Sequence, residues 1–149
     1  ANGRKHEKCK AVPFRIEYSG LEERFRVSLF SLVHNRPIKV NVSRMYDVEA
    51  CKGCKDINFE YMLSAVDNRR ASEPIVLEVK NEKNAVERCF ALFSSYERRA
   101  YISEDGLYIL EIEYYKFEVD DIVRKILTLG SSAKVVRGDI ILKEVIKCI

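Results

Sequence analysis

The sequence has 149 residues, 47% of them hydrophobic and 33% charged, and its formal net charge is +3. A chain of this length forms one globular domain or two small ones, which excludes a large multidomain enzyme. Charged residues interrupt every hydrophobic run before the roughly 18 apolar residues that a membrane helix needs, and the first residues lack the apolar core of a signal peptide. We therefore expect a soluble, cytoplasmic protein with no membrane partner.

Positive charge is concentrated in the first part of the chain. Residues 1–44 carry ten Lys and Arg against four Glu, whereas the remaining residues carry 16 basic and 19 acidic side chains. A basic segment joined to a mildly acidic one indicates that an anionic partner, where there is one, binds the first part.

The chain has five cysteines, an odd and sparse set for a protein that can bury its own core: Cys9, Cys51, Cys54, Cys89 and Cys148. This usage argues against a disulfide-stapled secreted scaffold and favours reduced thiols. Cys51 and Cys54 have the CxxC spacing of a zinc ribbon or a redox site, but a structural zinc site needs a second pair of ligands, and the sequence has no second CxxC and no HxxxH. We expect loop thiols with no metal and no cofactor, and a metal or redox site at Cys51 and Cys54 is the alternative.

Residues 1–66 have the pattern of a small β domain. Three runs alternate apolar and polar residues, as strands with one buried face do: residues 12–18, 24–31 and 38–43. In the first run the expected buried face carries Val12, Phe14, Ile16 and Tyr18. A fourth, short strand through Tyr46 and Val48 is predicted, followed by a weak helical pattern over residues 58–66. Such a set predicts a small, twisted, barrel-like antiparallel sheet.

Residues 67–74 predict a linker, because they have no apolar pattern and Pro74 disfavours helix in the residue before it. Strands are then predicted over 75–79, 100–102, 108–114 and 134–136. Helices are predicted over 85–96, with Asn81 as N-cap, and over 119–127, ended by Gly130. The order β-α-β-β-α-β is typical of the ferredoxin-like arrangement, in which both helices pack on one face of a four-stranded sheet.

An apolar helical stripe follows after this sheet is already complete: Ile141, Leu142, Val145, Ile146 and Ile149. Large apolar faces seldom stay exposed, so the stripe is expected to be buried. Packing on its own domain and a contact with a second subunit are both open. As a candidate interface, the stripe predicts a homodimer.

Strand alternation can bring several cations to one surface of the first half. Arg24 and Arg26 lie two apart on one predicted strand, Lys39 and Asn41 lie two apart on the next, and Arg44 ends the run. A surface of this kind attracts anions.

Two aromatic residues, Tyr18 and Phe25, are near enough in sequence to stack on the bases of a nucleic acid, a contact worth about 1–3 kcal/mol per base. The alternative interpretation is that the arginines form only the solvated side of a half-buried sheet, and spacing alone favours that alternative.

No catalytic motif is present in the sequence. It contains no G-x-S-x-G, no G-x-x-x-x-G-K and no H-E-x-x-H, and neither His6 nor His34 stands in a recognisable relation to a nucleophile. The strand predicted over residues 108–114 lacks the glycine and the basic start of an RNA-recognition motif. We expect no enzymatic activity, and the second half is interpreted as a partner-binding or regulatory module.

Several segments, taken in chain order, match a known family. In the second half they are residues 81–88, 93–97, 120–122, 126–130 and 134–136, and in the first half residues 12–19, 24–27 and 40–45. On these segments the second half resembles the WCX extension that follows the WYL domain in many bacterial transcription regulators. The first half resembles the later part of the WYL domain itself.

The chain departs from the family pattern in three ways. Arg24-Phe25-Arg26 stands where the family has Trp-Tyr-Leu, and the chain contains no tryptophan. The family's first WYL strand has no clear counterpart in residues 1–10, and the winged helix-turn-helix that usually comes before it is absent from the sequence. The resemblance thus implies either a fragment of a longer regulator or the loss of the DNA-reading part. Duplex DNA would be bound only through a helix-turn-helix that is not in this chain.

The resemblance implies a regulatory role. In this family the WYL domain is a small Sm-like or SH3-like barrel that senses a ligand, which is a nucleotide or nucleic acid in several members, and the extension contributes to dimerisation. By position, the resemblance places five residues at or beside the ligand, and the basic pattern adds a sixth: Tyr18, Ser19, Arg24, Arg26 and Arg44, with Lys39. It places Phe25 in the core.

The expected fold is α+β. A small SH3/Sm-like WYL barrel, incomplete at its start, is predicted over residues 1–66, and a ferredoxin-like WCX extension with an extra C-terminal helix over residues 74–149. The predicted function is ligand sensing and dimerisation in the C-terminal region of a bacterial transcription regulator, with a nucleotide or short single-stranded nucleic acid as ligand. A protein–protein interaction module without a small ligand is the alternative.

Overall fold

The computed structural model describes residues 7–20, 22–52 and 56–149. These residues form two antiparallel sheets and four α-helices, which confirms a mixed α+β fold. They divide into two units, one within Ala1–Tyr18 and Arg24–Val66, the other within Ser19–Glu23 and Asp67–Ile149. Each unit is described by itself below.

The first unit is built on a three-stranded sheet in the order β1-β2-β3. Its strands are β1 (Ala11–Ser19), β2 (Arg24–Ser31) and β3 (Arg36–Asn41). A 3-10 turn, Val42–Arg44, follows β3, and helix α1 (Phe59–Asp67) comes later. Asn58 caps α1, because its Oδ1 accepts a hydrogen bond from the Tyr61 amide at 3.0 Å. The three main strands and the helix confirm the predicted elements, while closure of the sheet into an SH3-like barrel stays a prediction.

The expected buried face of β1 is wrong over its second half. Ile16 is 71% exposed and Tyr18 is 50% exposed, whereas Arg15 and Glu17 are half-buried. The physical reason is that Glu17 takes part in ion pairs with Arg15 and with Lys39 of β3. Charged side chains can be buried when they are paired, so Arg15 and Glu17 are covered on this face and the apolar side chains of Ile16 and Tyr18 are exposed on the other.

Two further expectations for the first unit are wrong. Residues 45–52, which lie within the described part of the chain, contain no strand, and Tyr46 and Val48 are exposed. Phe25 is 56% exposed and therefore does not occupy a core position. Its side chain contacts the ring of Tyr18 instead.

The second unit contains a four-stranded sheet in the order β5-β6-β4-β7, and neighbouring strands are antiparallel. Its strands are β4 (Ile75–Val79), β5 (Arg98–Ile102), β6 (Tyr108–Ile112) and β7 (Ala133–Arg137). Its helices are α2 (Ala85–Leu92), α3 (Val119–Leu129) and α4 (Asp139–Cys148). The elements thus follow the predicted order, and their assignment to the ferredoxin-like class stays a prediction.

One continuous apolar core joins this sheet to its helices. Ile75 and Leu77 of β4 pair with Ile112 and Leu110 of β6, so all four side chains lie on one face of the sheet. The same cluster contains buried residues from each helix: Cys89 of α2, Ile122 and Ile126 of α3, and Ile141 and Val145 of α4. Helix α4 therefore packs on its own unit through part of its apolar stripe.

The middle of the predicted linker, residues 69–71, belongs to the second unit. The Ala71 amide donates to the Tyr114 carbonyl at 2.9 Å, and the Lys116 amide donates to the Arg69 carbonyl at 2.7 Å. Ala71 is also part of the core. Arg70 forms a single antiparallel bridge with Tyr115. One bridge is too short to produce a strand pattern in the sequence, so no strand is predicted here.

The helix ends follow the predicted chemistry with one difference. Gly130 ends α3 with a positive φ of 59°, as predicted for a C-terminal glycine. Helix α2 begins after Asn84, which has a φ of 55°, and not directly after Asn81. Among the described residues, the helices are too short or too polar to cross a membrane.

Candidate ligand site

The candidate site lies in the first unit, where the pairing of β2 with β3 sets which side chains share a face. Arg26 is opposite Asn41, and Ser28 is opposite Lys39. Opposed residues of an antiparallel pair project to the same side. Arg26, Asn41 and Lys39 therefore lie on one face, together with Arg24, which is two residues before Arg26 on the same strand.

Two exposed arginines stand at one end of this strand pair. Arg24 is the first residue of β2, and Arg44 ends the 3-10 turn that directly follows β3. Because β2 and β3 are antiparallel, the start of β2 and the end of β3 are at the same end of the sheet. Both arginines are exposed, and Arg26 is half-buried. Two of the basic residues that the sequence predicts for this surface, Arg24 and Arg44, are therefore exposed to solvent.

Lys39 has a different environment from the arginines. Its Nζ lies 2.9 Å from Glu17 Oε1, and its side chain is only 11% exposed. The side chain of Glu17 is 8% exposed and also accepts a hydrogen bond at 2.8 Å from Nη2 of Arg15. A carboxylate held by two cations at low exposure compensates charge inside the sheet. Lys39 and Arg15 thus compensate the charge of Glu17 within the sheet.

The aromatic pair is on the opposite face from Lys39. Glu17 shares the face of Lys39, so the next residue, Tyr18, projects to the other side, as does Phe25 between Arg24 and Arg26. The ring centroids of Tyr18 and Phe25 are 4.8 Å apart at an interplanar angle of 47°. Arg24 and Arg26 share the face of Lys39, so the aromatic pair and these two arginines lie on opposite faces of the sheet.

Ser19, the last residue of β1, groups with the second unit. Its hydroxyl accepts a hydrogen bond from the Glu22 amide at 3.3 Å, which is a local turn bond.

Sequence reasoning missed Glu17 as a member of the charged face. The signal was its position two residues after Arg15, which puts both side chains on one side of a strand.

The predicted interface stripe is divided by the fold. Ile141 and Val145 are buried in the core of their own unit, at 0% and 8% exposure. Leu142, Ile146 and Ile149 are 40%, 61% and 93% exposed. Packing on its own unit therefore accounts for two residues of the stripe, and the other three are available at the surface of the unit.

The cysteines give no metal site within the part of the chain that the structure describes. Cys51 is exposed, and Cys54 lies outside the described residues. Where side chains are described, no three His, Cys, Asp or Glu side chains come together as a metal ion would require. Cys89 is a buried thiol, and burial raises its pKa from its ordinary value to about 12.

The chain matches no protein-family model and no curated protein. Among solved structures it is similar to proteasome accessory factor B/C (PafBC) of Arthrobacter aurescens, at 12% sequence identity and a TM-score of 0.41. The likeness covers 92% of this chain and 21% of that one, so the chain spans about a fifth of the length of the structure it matches. A likeness at this level assigns neither a ligand nor a partner.

Proposed function

We propose that this chain is a non-enzymatic, ligand-sensing region of a WYL-type bacterial transcription regulator. The ligand is a nucleotide or a short single-stranded nucleic acid, and it binds to the first unit. The observation that supports this proposal is the convergence of exposed Arg24 and Arg44 at one end of the β2–β3 pair, with Arg26 on the face of Arg24. The segments that resemble the family include these positions.

The phosphates are bound by the arginines. A guanidinium forms bidentate, charge-assisted hydrogen bonds with phosphate oxygens, which makes arginine a suitable residue for this role. Lys39 is excluded from these contacts because Glu17 compensates its charge. The exposed pair of Tyr18 and Phe25 lies on the opposite face from Arg24 and Arg26, and it offers a ring surface to a base that extends around the β1 edge of the sheet.

The test is a titration of the full chain with a fluorescently labelled six-nucleotide single strand at several salt concentrations, followed by anisotropy. Each phosphate contact contributes a slope of roughly 0.7 in log K against log salt for single strands. We expect Arg24→Glu with Arg44→Glu to abolish measurable binding and the wild-type chain to show a clear salt dependence. Lys83→Glu with Lys143→Glu makes the same change in net charge elsewhere and is the matched control.

Two results would reject the ligand proposal. One is binding of the wild-type chain that is absent or insensitive to salt, since phosphate contacts release counterions. The other is an equal loss of affinity in the two double variants, because that would trace binding to net charge and not to the candidate site. Circular dichroism of each variant checks whether the fold is retained.

A second candidate function, a protein-interaction module without a small ligand, is favoured by one observation. Helix α4 exposes Leu142 and Ile146 at positions i and i+4, which lie on one face of a helix, and Ile149, directly after the helix, is 93% exposed. Sedimentation velocity should show a dimer that Ile146→Asp dissociates and that Lys143→Asp leaves intact. A monomer in the wild-type chain contradicts this function and the homodimer together.

A further inference from the structure

An apolar cavity opens in the second unit between α2 and the sheet edge formed by β5 and β6. Its volume is about 210 Å³. Its inner wall consists of buried residues: Val79, Val86, Cys89 and Leu110. Towards the solvent it is bounded by Ala100 and Ile102, and Ile102 is 61% exposed. The cavity therefore has an apolar inner end and an open mouth.

The cavity exists because a small residue occupies an inward position on β5. Ala100 is paired with Leu110, which belongs to the core, so both residues lie on the face that packs against the helices. A larger side chain at position 100 would occupy this space. An apolar cavity of about 150 Å³ binds benzene, so this larger cavity has room for a substituted ring or a branched chain of similar size.

A guanidinium lies beside the cavity. Arg98 is two residues before Ala100 on β5 and is paired with the core residue Ile112, so it shares the inward face. Its Nη1 donates to the Phe93 carbonyl at 2.9 Å, and its Cζ lies 5.9 Å from the ring centroid of Phe90, a residue of the cavity wall. These contacts hold the guanidinium in place and use one of its five N–H groups for the carbonyl.

The charge of Arg98 acts on the inner wall of the cavity. Burial raises the pKa of the Cys89 thiol, while the positive charge of Arg98 opposes that rise. None of the described residues that line the cavity is acidic. A molecule bound in the cavity therefore contacts apolar side chains, and it lies near the positive charge of Arg98, which no acidic residue of the cavity wall compensates.

We propose that this cavity binds a small apolar monocarboxylate, with its ring or branched chain against Ala100 and Leu110 and its carboxylate paired with Arg98. An acid fits better than an amine because of the charge of Arg98, and better than a dicarboxylate because the walls are apolar. The site lies wholly in the second unit. It is independent of the nucleic-acid site proposed for the first unit.

The experiment uses the full chain labelled at its methyl groups and two probes, phenylacetate and toluene, in NMR titrations. Both probes are expected to shift the methyl signals of Ala100 and Leu110. Arg98→Gln should weaken phenylacetate about tenfold and change toluene by less than about twofold, because only the acid pairs with the guanidinium. Ala100→Leu should remove binding of both probes.

Arg99→Gln is the matched control. Arg99 is adjacent on the same strand but lies on the outer face, opposite Glu111, and it should leave the affinity for both probes unchanged. Equal weakening of phenylacetate by Arg98→Gln and Arg99→Gln would overturn the proposal, since it would reveal general attraction by positive charge. Binding of toluene without phenylacetate would also overturn it. Because Arg98→Gln and Arg99→Gln decide the question by themselves, the test stands even if Ala100→Leu does not fold.

Discussion

The two units differ in how completely they cover their apolar side chains. In the second unit, one core joins β4 and β6 to three helices, and Ile75, Leu77 and Ile122 are fully buried. In the first unit, Val27, Phe30 and Met62 are buried, yet many large apolar residues are exposed: Ile16, Tyr18, Phe25, Val33, Phe59, Tyr61 and Leu63. Apolar burial is the main favourable contribution to folding.

This difference indicates where stability and binding are concentrated. The second unit gains more from burial, and we expect its strands to open least often. The first unit keeps rings and cations at its surface, where a ligand can contact them, and supplements its smaller core with the covered ion pairs of Glu17. The predictions below test this division, beginning with the largest expected effect.

The thiol of Cys89 should be about a thousandfold less reactive than an unperturbed cysteine at pH 8. Burial raises its pKa to about 12, so the thiolate, which is the reactive form, is correspondingly rare. Iodoacetamide labelling followed by peptide mass spectrometry measures this directly, with exposed Cys148 as the internal control. Comparable labelling of both cysteines in the folded chain would show that the core around α2 opens readily.

Leu77→Ala should lower the free energy of unfolding by about 2–5 kcal/mol, because it removes a fully buried side chain from β4 and leaves a cavity. Ile16→Ala, at a site that is 71% exposed in the first unit, should cost under about 1 kcal/mol. Urea denaturation monitored by circular dichroism gives both values. Equal losses would contradict the proposed division between the units.

Glu17→Gln should lower the free energy of unfolding by roughly 1–3 kcal/mol, since Arg15 and Lys39 lose a common carboxylate of low exposure. It should also strengthen binding of the labelled oligonucleotide, because the charge of Lys39 is no longer compensated. Glu7→Gln is the control, since its pair with His34 is exposed and should contribute little. A Glu17 variant as stable as the Glu7 variant would show that the pairs do not support the sheet.

Arg70→Met should have the smallest effect, a loss of under about 1 kcal/mol. Its Nη2 lies 2.7 Å from Glu97 and its Nε lies 3.7 Å from Glu113, but the side chain is 45% exposed and solvent screens both pairs. The loss should shrink further at 0.5 M salt in the same urea assay. A larger loss at high salt would mean that the arginine acts through packing of its aliphatic stem.

The second unit could be predicted from its sequence because its signals are local. The stripe of α3 repeats over three turns and ends at Gly130, and the burial of Ile122 and Ile126 follows from that spacing. The hairpin between β5 and β6 is equally local, since the Gly106 amide donates to the Ser103 carbonyl at 2.9 Å and Gly106 has a positive φ of 78°. Each of these elements can therefore be recognised from a short stretch of neighbouring residues.

The faces of β1 could not be predicted in the same way. Alternation shows that Ile16 and Tyr18 share a side, but it does not show which side is covered. That depends on the pairing of Glu17 with Lys39, 22 residues later, and on no pattern within β1. The cavity beside Ala100 was missed for the same reason, because it arises only when β5 and β6 pack against α2.

Helix α4 has a practical consequence for any shortened version of the chain. It follows the last strand, so a cut after Arg137 would retain the whole four-stranded sheet. That cut would nevertheless remove Ile141 and Val145 from the cluster that also contains Ile122 and Ile126 of α3. Expression boundaries drawn at the edge of the sheet would therefore yield an aggregation-prone product, and a workable C-terminus lies beyond Cys148.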